Sequence, residues 1–164
     1  MFKKITFTFL ILLILYSIIA AGYRYFEPEQ TTISDTSNTI DYASLKDYIT
    51  STGDASIHYL LFYSSDNENA VYVKDSILTQ TEADTHLQLS SLIEIVDVTN
   101  LDESMETNRL SEDWGISSIP AFAAVSLKDG KPVVNNKLEW DDANPISVDS
   151  LEQWLKDNSL YTGP

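Results

Sequence analysis

The sequence predicts an α/β domain, a three-layer α/β/α sandwich with a mixed central sheet, preceded by one transmembrane helix. Three observations predict it. Short apolar runs near residues 57–63, 92–98 and 121–127 alternate with segments of helical spacing, the pattern of sheet strands covered on both faces. A hairpin signal and a capped amphipathic helix close the chain. At its start, Ile5 to Tyr23 runs nineteen residues without a charge.

That first run follows Lys3 and Lys4 and would span about 28 Å as a helix, enough for the hydrocarbon core of a bilayer. Thr6, Thr8 and Ser17 are its few polar residues, too few for the polar stripe of a surface helix. A cleaved signal peptide is the alternative, with Ala20-Ala21-Gly22 as its cleavage site. The run exceeds the usual ~7–15-residue signal core, which favours retention. Two lysines before the span against Arg24 alone behind it place the N-terminus in the cytoplasm and the rest of the chain outside, at the cell membrane. Three parts follow: an anchor over 1–24, a polar stalk rich in Thr, Ser, Glu and Gln over 25–39, and a domain over 40–164.

Within the domain, Tyr42, Leu45, Tyr48 and Ile49 recur at helical spacing, with Asp41 as N-cap and Gly53 as the stop. Ile57 to Tyr63 reads as a buried central strand, and Ser64 to Asn69 as a polar turn. A helix starting near Ala70 should end somewhere between Ser76 and Leu89. Leu92 to Val98 is a second strand, and Ser104 to Trp114 a helix stopped by Gly115. Ala121 to Leu127 is another buried strand, and Asp129-Gly130 signals a hairpin to Val133–Trp140. Ser147 to Asn158 is a helix with Val148, Leu151, Trp154 and Leu155 on one face.

Composition narrows the chemistry. The 164 residues hold 25 acidic and ten basic side chains, for a net charge of −15. A nucleic-acid binder needs a basic face, so none is expected as a partner. The absence of cysteine excludes disulfides, thiolate nucleophiles and cysteine metal sites. His58 and His86 are too few for a histidine metal centre; His58 reads as a hydrogen-bonded strand residue and His86 as solvent-facing. Asp66-x-Glu68 and Glu139-x-Asp141-Asp142 offer oxygen ligands, but neither has EF-hand spacing. No cofactor and no metal are expected.

Trp114-Gly115-Ile116-Ser117-Ser118-Ile119-Pro120-Ala121-Phe122 resembles a segment of the thioredoxin family, in which a helix-ending Gly leads through Ile-Pro into a buried strand. Leu127-Lys128-Asp129-Gly130-Lys131 is similar to that family's Lys-x-Gly hairpin, and Tyr59 to Ser64 to the strand that leads into its redox loop. The resemblance covers about residues 40 to 160. It implies a thioredoxin-like fold, a cis Ile119–Pro120 bond and a backbone beside it that receives extended peptides. The family's Cys-x-x-Cys would fall on Asn67-Glu68-Asn69-Ala70, and its buried acid on Leu61. Neither Asn67 nor Ala70 can perform thiol–disulfide exchange, so the domain is expected to be redox-inert and not an enzyme.

What the resemblance leaves is a peptide- or partner-facing surface of Asp66, Asn67, Glu68, Asn69, Ala70, Ile119 and Pro120. The expected function is a membrane-anchored protein-interaction module or accessory subunit of a membrane or secretion complex, with membrane or secreted polypeptides as partners. Its layout is similar to extracytoplasmic thioredoxin-like proteins of Gram-positive bacteria. A secreted soluble binding or immunity-type factor, and a metal-dependent non-thiol enzyme acting through Asp66 or Asp141, are the alternatives.

Overall fold

The computed structural model describes residues 39–53, 56–103 and 108–163, all within one compact unit. The expected anchor, and the expected stalk up to residue 38, lie outside the described residues.

The elements, in order, are β1 (Thr39–Asp41), α1 (Tyr42–Thr52), β2 (Ile57–Tyr63), α2, α3 (Leu89–Leu92), β3 (Glu94–Asp97), α4 (Thr99–Glu103), α5 (Asn108–Trp114), β4 (Ala121–Lys128), β5 (Lys131–Glu139) and α6 (Val148–Asp157). Helix α2 has three consecutive pieces: Glu68–Tyr72 and Thr79–Thr85 are α-helical, and Val73–Leu78 between them is π-helical. The five strands lie in the order β1-β3-β2-β4-β5. β1, β3 and β2 are mutually parallel; β4 runs antiparallel to β2, and β5 antiparallel to β4. The peptide bond before Pro120, just ahead of β4, is cis. This mixed sheet and its chain order make a thioredoxin-like α/β fold.

Strand periodicity divides the core. Leu60 and Phe62 on β2, with Ala121, Ala123, Val125 and Leu127 on β4, face a layer holding Leu45, Ile49, Leu110 and Trp114 from α1 and α5. The alternate residues Leu61, Phe122 and Ala124 face the other layer, with Val73 and Ile77 of α2 and Leu151, Trp154 and Leu155 of α6. Leu60, Leu61, Phe62, Phe122, Leu151 and Leu155 have no exposed surface. Each buried side chain of this size contributes about 1.5–3 kcal/mol.

Local signals decide most boundaries. The Asp41 carboxylate accepts from the Ala43 amide and starts α1; Gly53, at φ 86°, ends it. Ser147 and Ser150 cap each other reciprocally at the start of α6. Asp129 and Gly130 both have positive φ, as a two-residue hairpin turn requires. Asn135 is the extra residue of a bulge in β5, and its side-chain amide donates to Ser126 Oγ at 2.9 Å.

Three expectations need correction. The domain begins with a strand rather than a helix, because Thr39–Asp41 pairs with β3 from Ile95 to Asp97. Helix α2 begins at Glu68 and runs through to Thr85, where His86 takes a left-handed conformation, exposed as expected. β3 is only four residues long, since Leu89–Leu92 coils into a helical turn whose Leu89 is buried. The helix expected over 104–114 is present as α5 from Asn108 to Trp114, and its expected start at 104–107 lies outside the described residues.

Candidate functional site

Sheet register brings the two parts of the candidate surface to one end of the domain. Phe62 pairs with Ala121, so the residues that leave β2 emerge beside those that enter β4. The Ser64–Asn69 segment and the Ile119–Pro120 turn therefore leave the sheet side by side. β3 ends at the same level, with Tyr63 opposite Asp97, and the Val98 amide donates to the Tyr63 carbonyl.

The segment after β2 is built by short-range bonds. Ser64 is fully buried, and its hydroxyl accepts from the Asp66 amide. The Asn67 amide donates to the Ser64 carbonyl, closing a tight turn. Asn67 Oδ1 then accepts from the Ala70 amide at 3.0 Å and caps α2. Thr99 Oγ1 accepts from the Ser65 amide at 2.9 Å and pins the loop to the start of α4. Asp66 and Glu68 are exposed, and Asn67 and Asn69 half-buried. Ala70 is fully buried, so it can offer no side chain to a partner. Where the thioredoxin family carries its reactive thiols, this chain has a capping amide and a buried methyl group. Leu61 is likewise fully buried, among apolar neighbours. With no cysteine anywhere in the sequence, the fold has no thiol–disulfide oxidoreductase activity.

The turn before β4 is held from the other side, by β5. Gly115, at φ 66°, ends α5 and lets the Ile116 amide reach back to the Leu110 carbonyl. The Ser117 amide donates to Glu139 Oε1, and Ser118 Oγ to the Trp140 carbonyl. The Trp140 amide donates to the Pro120 carbonyl at 3.0 Å. Ile119 is 9% exposed, and no backbone hydrogen bond joins it to another described residue. Burial alone would raise the Glu139 carboxyl, but the Lys137 ammonium at 2.7 Å and the amides of Ser117 and Ser118 outweigh it and hold Glu139 below its ordinary value. Sequence reasoning marked Glu139 only as a possible oxygen ligand and left out Ser117, Ser118 and Trp140. Their partners lie 22 positions away, and only the hairpin's position could have pointed to them.

The acidic motifs are engaged otherwise. Asp141 Oδ1 accepts from the Ala143 amide, and Asp142 Oδ1 from the Trp140 indole. Among the described residues, no group of three or more His, Asp or Glu side chains is placed to hold a metal ion. Among the same residues, no helix is long and apolar enough to cross a membrane.

At the other end of β2, His58 is 8% exposed and bonded on both ring nitrogens. Nδ1 lies 2.9 Å from Glu94 Oε2, and Nε2 lies 2.7 Å from Thr52 Oγ1. Glu94 Oε1 also accepts from the Tyr48 hydroxyl. The sequence reading expected a hydrogen-bonded His58 but named neither partner.

No family model and no curated protein matches this sequence. Among solved structures, the chain is similar to a thioredoxin from Thermus thermophilus (16% identity, TM-score 0.45, covering 75% of this chain and 87% of that one). It is also similar to mitochondrial thioredoxin 3 from Saccharomyces cerevisiae (18%, 0.43, 73% and 93%) and to a Plasmodium falciparum thioredoxin (14%, 0.44, 73% and 88%). The strand order and directions described above carry the fold assignment by themselves.

Proposed function

We propose that this chain is a redox-inert interaction module that holds an extended segment of another polypeptide against the Ile119–Pro120 turn and the Ser64–Asn69 loop. The observation that carries the reading is the meeting of these two segments at one sheet end, with the Ile119 backbone unengaged by its neighbours. A peptide could pair there as an added strand, its main chain supplying affinity and its side chains specificity. Asp66 and Glu68 on one side and Asp141 and Asp142 on the other are exposed, which favours partners with basic residues near the bound segment.

In this reading residues 5–23 tether the domain to the membrane, with the domain outside the cytoplasm as an accessory subunit or holder of membrane or secreted polypeptides. Nucleic acid is not among its partners, given the net charge of −15.

The test is a titration of the isotope-labelled full chain in detergent with an unfolded, cysteine-free basic polypeptide, followed by amide shifts. Changes concentrated at Ser64–Asn69 and Ser117–Ala121 support the reading. No response there, or a response confined to α6, would overturn it.

A further inference from the structure

At the start of β2 a hydroxyl, an imidazole and a carboxylate stand in sequence. Thr52 Oγ1, on the last residue of α1, lies 2.7 Å from His58 Nε2, and Glu94 Oε2, on β3, lies 2.9 Å from His58 Nδ1. Glu94 Oε1 accepts from the Tyr48 hydroxyl, so both carboxylate oxygens are engaged. An ionised carboxylate only accepts, which puts the ring proton on Nδ1 and, in the neutral ring, turns the Nε2 lone pair to Thr52. His58 is buried and Glu94 half-buried, whereas Thr52 is exposed. The series thus runs outward from a held carboxylate to a hydroxyl at the surface.

Fastening α1 to the sheet takes only His58, Glu94 and Tyr48. The end of α1 adds two features that fastening does not use. Thr52 Oγ1 also lies 2.7 Å from the Ile49 carbonyl, so its one proton is shared between that acceptor and Nε2. In a continuing helix the Gly53 amide would donate to the Ile49 carbonyl. With Gly53 at φ 86° and ψ 165°, that amide bonds to no described residue. Gly53 is exposed, and no described atom would crowd a Cβ built on it. An unbonded N–H therefore follows directly on the residue that bears the hydroxyl. Acyl-transfer sites use an amide in that position to stabilise a developing oxyanion.

We infer that Thr52, His58 and Glu94 form an acyl-transfer site that hydrolyses small uncharged carboxylic esters. Thr52 Oγ1 attacks the ester carbonyl carbon as its proton passes to His58 Nε2, and Glu94 stabilises the imidazolium that forms. The bond from the acyl carbon to the alcohol oxygen breaks, and the alcohol leaves with the proton from Nε2. Water then attacks the acyl-threonine and gives a proton to Nε2; the carboxylic acid departs and Oγ1 regains its hydrogen. Thr52 and His58 are the catalytic residues, and Glu94 positions the ring. A net charge of −15 disfavours anionic substrates. The site lies at the opposite end of β2 from the Ile119–Pro120 surface, and this inference does not depend on the polypeptide-holding role.

Hydrolysis of para-nitrophenyl acetate by the full chain, compared with free imidazole at equal concentration, tests it. The wild type should exceed imidazole, and acid quenching during turnover should trap an acetyl group on Thr52, located by mass spectrometry. Thr52→Val removes the hydroxyl and keeps the His58–Glu94–Tyr48 bonds, and should lower kcat at least about a hundredfold. Thr52→Ser should stay active, and His86→Gln, at the exposed histidine, should match the wild type. Per trapped site, Glu94→Gln should turn over at least about tenfold more slowly, a readout that loss of folded protein does not move. A rate no greater than that of imidazole, activity that survives Thr52→Val, or an acetyl group found only on other residues would overturn the inference.

Discussion

The two ends of β2 carry polar clusters of opposite construction. Beyond Tyr63, bonds between Ser64 and Asp66 and between Asn67 and Ala70 join residues two or three positions apart, on a largely exposed loop. At the start of the strand, His58, Glu94 and Tyr48 join residues 36 and 46 positions apart beneath α1. The first cluster shapes a loop and leaves its carboxylates facing water. The second fastens α1 to β2 and β3. The same strand therefore ends in a surface suited to contact and begins in a clamp suited to stability.

Breaking the clamp should have the largest effect. Glu94→Ala removes an acceptor from both His58 and Tyr48, and should cost about 2–3 kcal/mol in urea unfolding. Glu94→Gln keeps one acceptor oxygen and should cost less. A destabilisation by Glu94→Ala no greater than that of an exposed carboxylate would show that the clamp is not structural.

Alkaline pH should loosen the same region next. The hydrogen bond to Glu94, with burial, pushes the Tyr48 phenol up to about 12; burial, with the Asp113 hydrogen bond, does the same for Tyr42. The fold favours the neutral phenol, so this stability is complete below pH 10 and is lost as pH rises toward 12. The melting temperature should fall across that window, and Tyr48→Phe should flatten the fall. Phenolate absorbance should show a tyrosine fraction ionising near pH 12; complete titration near pH 10 would contradict both bonds.

The loop should respond more mildly. Asn67→Ala removes the cap of α2 and should cost about 1 kcal/mol, while Asn67→Asp, which retains the acceptor, should stay close to the wild type. The smallest effect belongs to the tie behind Pro120. Glu139 sits below its ordinary value, so its stabilisation is present above that value and lost as pH falls through the folded one. Lys137→Gln should cost about 0.2–1 kcal/mol near neutral pH and reduce this acid sensitivity.

The contrast also explains what could be read in advance. Asp41, Gly53, Gly115, the Asp129-Gly130 turn and the Ser147 cap act within a few residues, so their elements stood out in the sequence. The thirteen-letter stretch from Tyr63 to Asp75 showed its loop and helix but not the π-helical piece from Val73, where the pattern of apolar residues gives no warning. β1 was missed because three residues cannot display a period of two; only pairing with β3 makes Thr39–Asp41 a strand. The candidate surface was legible because Asn67, Ala70 and Pro120 occupy recognisable positions. The Glu139 and Trp140 ties and the His58 clamp were not, since each joins residues distant in the chain.

The most direct test of the polypeptide-holding role is mild cross-linking of the full-length protein in its native membrane, then purification and mapping of the linked peptides by mass spectrometry. The account predicts linked polypeptides whose contacts concentrate at Ser64–Asn69 and Ser117–Pro120. Recovery of the protein alone, or links distributed without preference for those segments, would contradict it.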